Sequence, residues 1–179
     1  MNGSQNLKIH QLFTLVNKGQ VFFLDKYEQE IVELSANQRH NNKIETGWNG
    51  LKTVNKSSDI NLNIVGFGAE FIFCREFNLF PDFKIHNMSK QLKTDTYDCI
   101  LNNKTIDIKV NRNSNNPFMV PQYAKSDCDL FFLFSSKFPK YRFEGYATNE
   151  MIFKKENLKM TRVMAYVLDK IKLLDNYVI

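Results

Sequence analysis

Apolar residues recur at helical spacing over Leu7–Val16 and again over Val21–Asn37, where Phe23, Tyr27, Ile31 and Leu34 fall on one stripe. This pattern predicts a helical layer at the N-terminal end. From Gln38 to Asp59 the chain turns polar, with Asn41, Asn42, Asn49, Asn55, Gly47 and Gly50 among the cations Arg39, His40, Lys43, Lys52 and Lys56. A long surface loop or a short helix with a basic face is expected there. Apolar residues return at Ile64, Val65, Phe67, Phe71, Ile72, Cys74 and Phe77, around Glu70 and Glu76. They read as a buried helix from about Gly68, closed by Pro81, because proline lacks the amide donor that a continuing helix needs.

The period then changes from helical to two. Tyr97–Leu101 and Thr105–Val110 are β-rich runs on either side of Asn102-Asn103-Lys104, which predicts a hairpin. In its second arm Ile106, Ile108 and Val110 alternate with Thr105, Asp107 and Lys109, so Asp107 and Lys109 project from one face. Asp129–Ser135 is an unbroken apolar run bounded by polar residues, the pattern of a central strand covered on both faces. Arg142–Ala147 and Thr161–Leu168 read as further strands. The expected fold class is α/β: a central mixed sheet flanked by helices, with residues 1–60 as an N-terminal helical and polar layer and 64–174 as the core of one domain.

Composition adds bounds to this picture. A chain of 179 residues, 43% hydrophobic and 24% charged, is long enough for one core but crowded for two. The start, Met1–Leu7, is polar without an apolar signal region, and no later run approaches the roughly 18 apolar residues of a membrane span. A soluble, unexported protein of the bacterial or phage-infected cytoplasm, with no membrane partner, is expected. Cys74, Cys99 and Cys128 are odd in number and widely spaced with no CxxC pair, which points to free thiols rather than to disulfides or a zinc cluster. The net charge of +5 favours a polyanionic partner through counterion release, although charge alone is a weak signal.

The chemistry concentrates in the hairpin. Asp98 and Asp107 lie on its opposite arms, so pairing across the turn brings two carboxylates together. Two such groups repel and resist ionisation unless a cation sits between them. Mg²⁺ takes oxygen ligands, requires only one or two carboxylates from the protein, and keeps several waters. Lys109, on the same face as Asp107, is placed to orient or deprotonate an attacking water, or to offset charge on a phosphorane-like transition state. Together these residues form a minimal set for phosphodiester hydrolysis. Glu70 stands between Ala69 and Phe71 in the predicted buried helix; an unpaired buried carboxylate is costly, so it either faces water or meets a metal.

Asp98 followed by Asp107-Ile108-Lys109 resembles the signature of the PD-(D/E)xK nuclease superfamily, an acid on one strand and acid-any-Lys on the next. Gly66-Phe67-Gly68-Ala69-Glu70-Phe71 is similar to the Gly-rich, Glu-bearing element that often precedes it. The likeness extends from about Leu34 to Leu174 and is nearest to small phage or bacterial members. Leu34-Ser35-Ala36-Asn37-Gln38-Arg39 is loosely similar to a Leu-Ala-x-x-Arg segment of that group. Asp129-Leu130-Phe131-Phe132 and Gly145-Tyr146-Ala147-Thr148 match its Asp-led apolar strand and Gly-aromatic-Ala-Thr segment. Two departures stand out: Tyr97 precedes the first acid where the family has Pro, and the second acid is Asp where Glu is commoner.

The resemblance implies a restriction-endonuclease-like core and a Mg²⁺ or Mn²⁺ site made by Asp98, Asp107, the Ile108 carbonyl and Glu70 through water, with Lys109 as the catalytic lysine. It implies a metal-dependent nuclease acting on nucleic acid, DNA being the preferred substrate, and is compatible with a homodimer. Arg39, Asn111, Arg112, Tyr123 and Lys125 are candidates for holding the backbone or stacking a base, against the alternative that they are ordinary surface residues. His10, His40 and His86 have no Glu or Cys at ligand spacing and are given no catalytic role. Two other readings remain at this point: a catalytically silent nucleic-acid-binding protein, and a phage structural or interaction protein on the same scaffold.

Overall fold

The sequence Asp25-Lys26-Tyr27-Glu28 starts the first helix. The Glu28 amide donates to Asp25 Oδ1 at 2.9 Å and the Asp25 amide to Glu28 Oε2 at 2.8 Å, a reciprocal capping box that satisfies two amides otherwise left open at a helix start. The computed structural model describes residues 15–45, 56–83 and 97–178. In chain order its strands and helices are β1 (Leu15–Asn17), β2 (Val21–Phe23), α1 (Lys26–Glu45), α2 (Lys56–Glu76), β3 (Cys99–Leu101), β4 (Lys104–Asn111) and β5 (Phe118–Pro121). They continue with β6 (Leu130–Lys137), β7 (Lys140–Thr148), α3 (Asn149–Ile152), β8 (Leu158–Met160), β9 (Met164–Leu168) and β10 (Asn176–Val178).

The fold is α/β around a mixed five-stranded sheet of order β2-β7-β6-β4-β3, in which only β4 and β6 run parallel. The apolar run beginning at Leu130 is the middle strand, as its lack of alternation predicts. Phe132 and Phe134 enter one core with Phe67 and Phe73 of α2 and Phe77 just after it, while Phe131 and Leu133 enter a second with Phe118, Val120, Ile152 and Leu168. The long helices therefore cover one face only. The other carries a three-stranded sheet of order β5-β9-β8 together with the short α3, where flanking helices were expected. The strand read at Thr161–Leu168 exists as β9 but belongs to this second sheet.

The hairpin forms as expected: Asn102 and Asn103 sit at φ 51° and 59°, the paired left-handed conformation of a two-residue turn, which Asn tolerates. The N-terminal reading needs correction. Val21–Phe23 is an edge strand with only Phe22 turned inward, and the helix begins after it. The stripe Phe23, Tyr27, Ile31 and Leu34 is exposed, Tyr27 by 75% and Leu34 by 62%. The buried face of α1 is Val32, Ala36 and His40, set by packing on α2. Of the helix expected over Leu7–Val16, residues 7–14 lie outside the described residues and the rest is in β1. Of the stretch expected as a surface loop or short helix, the described ends are helical, since α1 runs to Glu45 and α2 begins at Lys56; residues 46–55 are again outside the described residues. The second helix ends before Pro81, at Asn78 with φ 52°, where the Leu79 amide returns to the Cys74 carbonyl at 2.7 Å.

Gly66 and Gly68 lie in mid-helix and differ in kind. A Cβ on Gly68 would stand 2.0 Å from the hydroxyl of Tyr141, a fully buried side chain bonded to the Val65 carbonyl at 3.2 Å. A Cβ on Gly66 would meet nothing within 4 Å. Gly68→Ala is expected to lower stability by about 1–3 kcal/mol through overpacking, and Gly66→Ala to raise it by about 0.5–1 kcal/mol through helix propensity. Urea denaturation of the two variants checks this; equal midpoints would disprove the close approach of α2 to β7.

Candidate active site

Period-two geometry puts Asp107 and Lys109 on one face of β4, and the structure joins them in an ion pair between Lys109 Nζ and Asp107 Oδ1. Asp107 is buried and Lys109 one-third exposed. Asp98 immediately precedes β3. Its amide donates to the Ile106 carbonyl at 2.8 Å and its Oδ2 accepts the Ile108 amide at 2.5 Å, so the carboxylate is held against the edge of β4. The amide and carbonyl of one strand residue leave on the same edge. The Ile108 carbonyl therefore shares the edge at which Asp98 sits.

Glu70 reaches this group from α2. It is paired with Arg39 at 3.1 Å, and the Arg39 guanidinium also donates to the Asp82 carbonyl and lies over the Phe67 ring at 4.4 Å. Arg39, a candidate for holding nucleic acid, is thus engaged inside the protein as the partner of Glu70. Burial raises the Glu70 carboxyl above its ordinary range against the pull of Arg39. Asp98 is raised well above the carboxylate range by burial and by the charges of Glu70 and Asp107, with Lys109 and the Ile108 amide opposing. Burial works against the Lys109 ammonium, yet Asp107 and Asp98 outweigh it and its affinity for the proton rises. Glu70, Asp98, Asp107 and Lys109 are therefore one electrostatic group, and Lys109 is held charged.

Among the described residues no group of three or more His, Cys, Asp or Glu side chains is arranged to hold a metal ion. The donors fit a narrower demand. Asp98 and Asp107 with a strand-edge carbonyl suit Mg²⁺, which asks one or two carboxylates of the protein and takes its other oxygens from water and substrate phosphate. Burial raises Asp98 most, and the charges of Glu70 and Asp107 add a repulsion that a cation would relieve.

A prediction follows for the metal-free protein. Because the folded state holds the neutral Asp98 carboxyl, ionising it opposes folding. That penalty is absent below the ordinary carboxylate range and complete above the raised value, so stability falls as pH rises between the two. Asp98→Asn keeps an acceptor for the Ile108 amide and removes the charge. In EDTA at pH 7 it is expected to melt a few degrees higher, the size of effect that about 1 kcal/mol has in a chain this long, and the gap should close toward pH 4. A variant less stable at pH 7 would show that Asp98 is not strained.

The remaining candidates are scattered. The Asn111 side chain donates to the Asn116 and Pro117 carbonyls at 3.2 and 3.0 Å, closing the loop between β4 and β5. Arg112 is exposed on that loop. Tyr123, 69% exposed, stands on a short turn after β5, and Lys125 places its ammonium over the Phe153 ring at 5.2 Å. His40 is buried between the helices, 3.4 Å from the Asn63 amide group; His10 and His86 lie outside the described residues. Cys74 and Cys128 are buried and Cys99 is half-buried, and none of the three is in a disulfide.

Sequence reasoning missed Asp129 as a tie between strands. Its Oδ2 accepts the Thr105 amide and hydroxyl, each at 2.9 Å, which fixes the start of β4 against β6. It also missed Lys137, Lys140 and Arg142, whose signal was the pair of lysines around Phe138-Pro139. Comparison with family models, with curated proteins and with solved structures gives no match to this chain.

Proposed function

We propose that this chain is a metal-dependent nuclease with a restriction-endonuclease-like core, hydrolysing phosphodiester bonds of DNA through a Mg²⁺- or Mn²⁺-activated water. The observation that carries this reading is that Asp98, held against the edge of β4, meets the Asp107–Lys109 pair of that strand, with Glu70 adding the charge of a third acid from α2. A protein that only binds a polyanion gains nothing from such a cluster, because the acids repel the ligand.

Asp98 and Asp107 would hold the metal together with the Ile108 carbonyl. When bound, the metal supplies a more acidic water and positive charge at the phosphate. Glu70, tethered by Arg39, stands behind the carboxylates and is suited to a bridging water more than to direct ligation. Lys109 remains an ammonium under the pull of Asp107 and Asp98. Of the roles open to it, holding the water and offsetting charge on the phosphate oxygens use the ammonium, while deprotonating the water uses the amine, which a cation bound by Asp98 and Asp107 would favour.

The test is cleavage of labelled single-stranded, duplex and branched DNA and of RNA, in Mg²⁺ or Mn²⁺ against EDTA. Metal-dependent cutting by the wild type, absent from Asp107→Ala, supports the nuclease and identifies its substrate. Binding without cutting in any metal, unchanged by the substitution, would replace it with the silent-binder reading.

A further inference from the structure

Uncompensated positive charge gathers at the other end of β4. Arg112, just after that strand, joins Ser114, Ser135, Lys137, Lys140 and Arg142 around a cavity of about 200 Å³. The strand register makes this arrangement unfavourable for the protein alone. Lys137 lies directly opposite Lys140 across the β6–β7 pair, with Arg142 opposite Ser135 on the same face. Like charges facing each other on paired strands repel.

A hairpin kept for stability alone would answer those lysines with a carboxylate. Here the ion pairs among the described residues involve Lys18, Arg39, Arg75, Lys104, Lys109 and Lys170, and none of the four cations of the cavity. The nearby Glu144 is occupied: it accepts the Ser135 hydroxyl at 2.5 Å, pairs with Lys170 at 3.3 Å and is buried. Lys140 also lies 5.7 Å over the Phe23 ring, which leaves its charge intact. Four cations, two of them planar guanidinium donors, line one concave and open site. That is the chemistry of a phosphate oxygen cluster.

The position of the cavity relates it to the carboxylates. Asp107 is in register with Phe131 and Asn111 with Ser135. Four residues at roughly 3.3 Å each put the cavity about 13 Å along β4 from Asp107. A strand of nucleic acid, with one phosphate per about 3.4 Å of duplex axis, covers that distance in a few nucleotides.

We infer that this cavity binds a backbone phosphate of a nucleic-acid strand, a few nucleotides from the bond placed at Asp98, Asp107 and Lys109. The choice of polymer rests on the nuclease reading; the anion site does not. The four cations act as a second anchor that fixes the strand relative to the carboxylates, and a free phosphate would share the same donors without that register.

The test uses fluorescence anisotropy with labelled single-stranded and duplex oligonucleotides in EDTA, over a range of salt concentrations. The proteins are wild type, Arg112→Ala/Arg142→Ala, Lys137→Ala/Lys140→Ala and Asp107→Asn, with circular dichroism and thermal melts confirming that each is folded. Each double variant is expected to bind about 10–100-fold more weakly. Losing that phosphate contact should flatten the slope of log affinity against log salt by about 0.7 for single strands and about 0.9 for duplex. Lys137→Ala/Lys140→Ala should melt no lower than wild type, since it removes a repulsion. Asp107→Asn should bind at least as tightly as wild type, because it removes a negative charge that repels the strand.

Unchanged affinity and slope in both double variants overturns the proposal, whether or not the wild type cleaves. Inorganic phosphate that raises the melting temperature of wild type but not of the double variants, with oligonucleotide affinity unaffected, overturns it in favour of a small-anion site. Absence of metal-dependent cleavage removes the nuclease reading alone; loss of salt-dependent binding in the double variants would still uphold the phosphate site.

Discussion

Asp107→Ala is expected to reduce metal-dependent cleavage by about a thousandfold or more, equivalent to ~4 kcal/mol of transition-state stabilisation. Two effects combine in that figure. One of the two carboxylates that would hold the metal is gone, and Lys109 loses the partner that holds its ammonium in place. The substitution should leave the fold intact, because it removes one of the charges that crowd the buried Asp98. Lys109→Ala should fall by about 10²–10³-fold, the range for removing one preorganised donor from developing charge. Lys109→Arg, which keeps the charge, should recover part of the loss. Single-turnover cleavage at saturating metal measures all three. A Lys109→Ala enzyme with an unaltered rate would remove the lysine from the reaction.

The largest effect on stability should come from Phe132→Ala. Phe132 sits in the middle strand, fully buried, with Phe73 at 4.7 Å, Tyr177 at 5.2 Å, Tyr146 at 5.3 Å and Phe143 at 5.8 Å between ring centroids. Its ring links the helix α2, the neighbouring strand β7 and the terminal strand β10, so the void left by truncation borders three elements and none can collapse into it alone. The expected loss is about 3–5 kcal/mol. For a chain of this length that lowers the melting temperature on the order of 10 °C. Phe132→Leu, which fills part of the space, should lose clearly less. A loss below about 1 kcal/mol for the alanine variant would mean that the aromatic cluster does not hold α2, β7 and β10 together.

Local pattern made several features readable in advance. The hairpin followed from Asn102-Asn103 between β-rich runs, because two left-handed residues can be recognised from their identity alone. The middle strand followed from the unbroken run after Asp129, because only a strand buried on both faces has apolar residues at every position. The shared face of Asp107 and Lys109 followed from a period of two, which any strand imposes.

Other features depend on contacts between distant segments. The helical stripe Phe23, Tyr27, Ile31 and Leu34 has sound periodicity and is exposed, because periodicity gives the spacing of a face but not which face a neighbour covers. Here the small side chain of Ala36, with Val32 and His40, allows α1 to approach α2. The second sheet was not legible either, since the short strands β5, β8 and β9 carry too few residues to distinguish a separate layer from the edge of the first.

The candidate site divides along the same line. The sequence by itself determined which residue types stand at Asp98, Asp107 and Lys109 and that the last two share a face, since strand geometry is local. Only the tertiary structure decided that Glu70 joins them, that Arg39 is its internal partner rather than a free cation, and that Lys137, Lys140, Arg142 and Arg112 meet around one cavity. Each of those results from packing a helix or a strand end against residues dozens of positions away, where no local period carries the information.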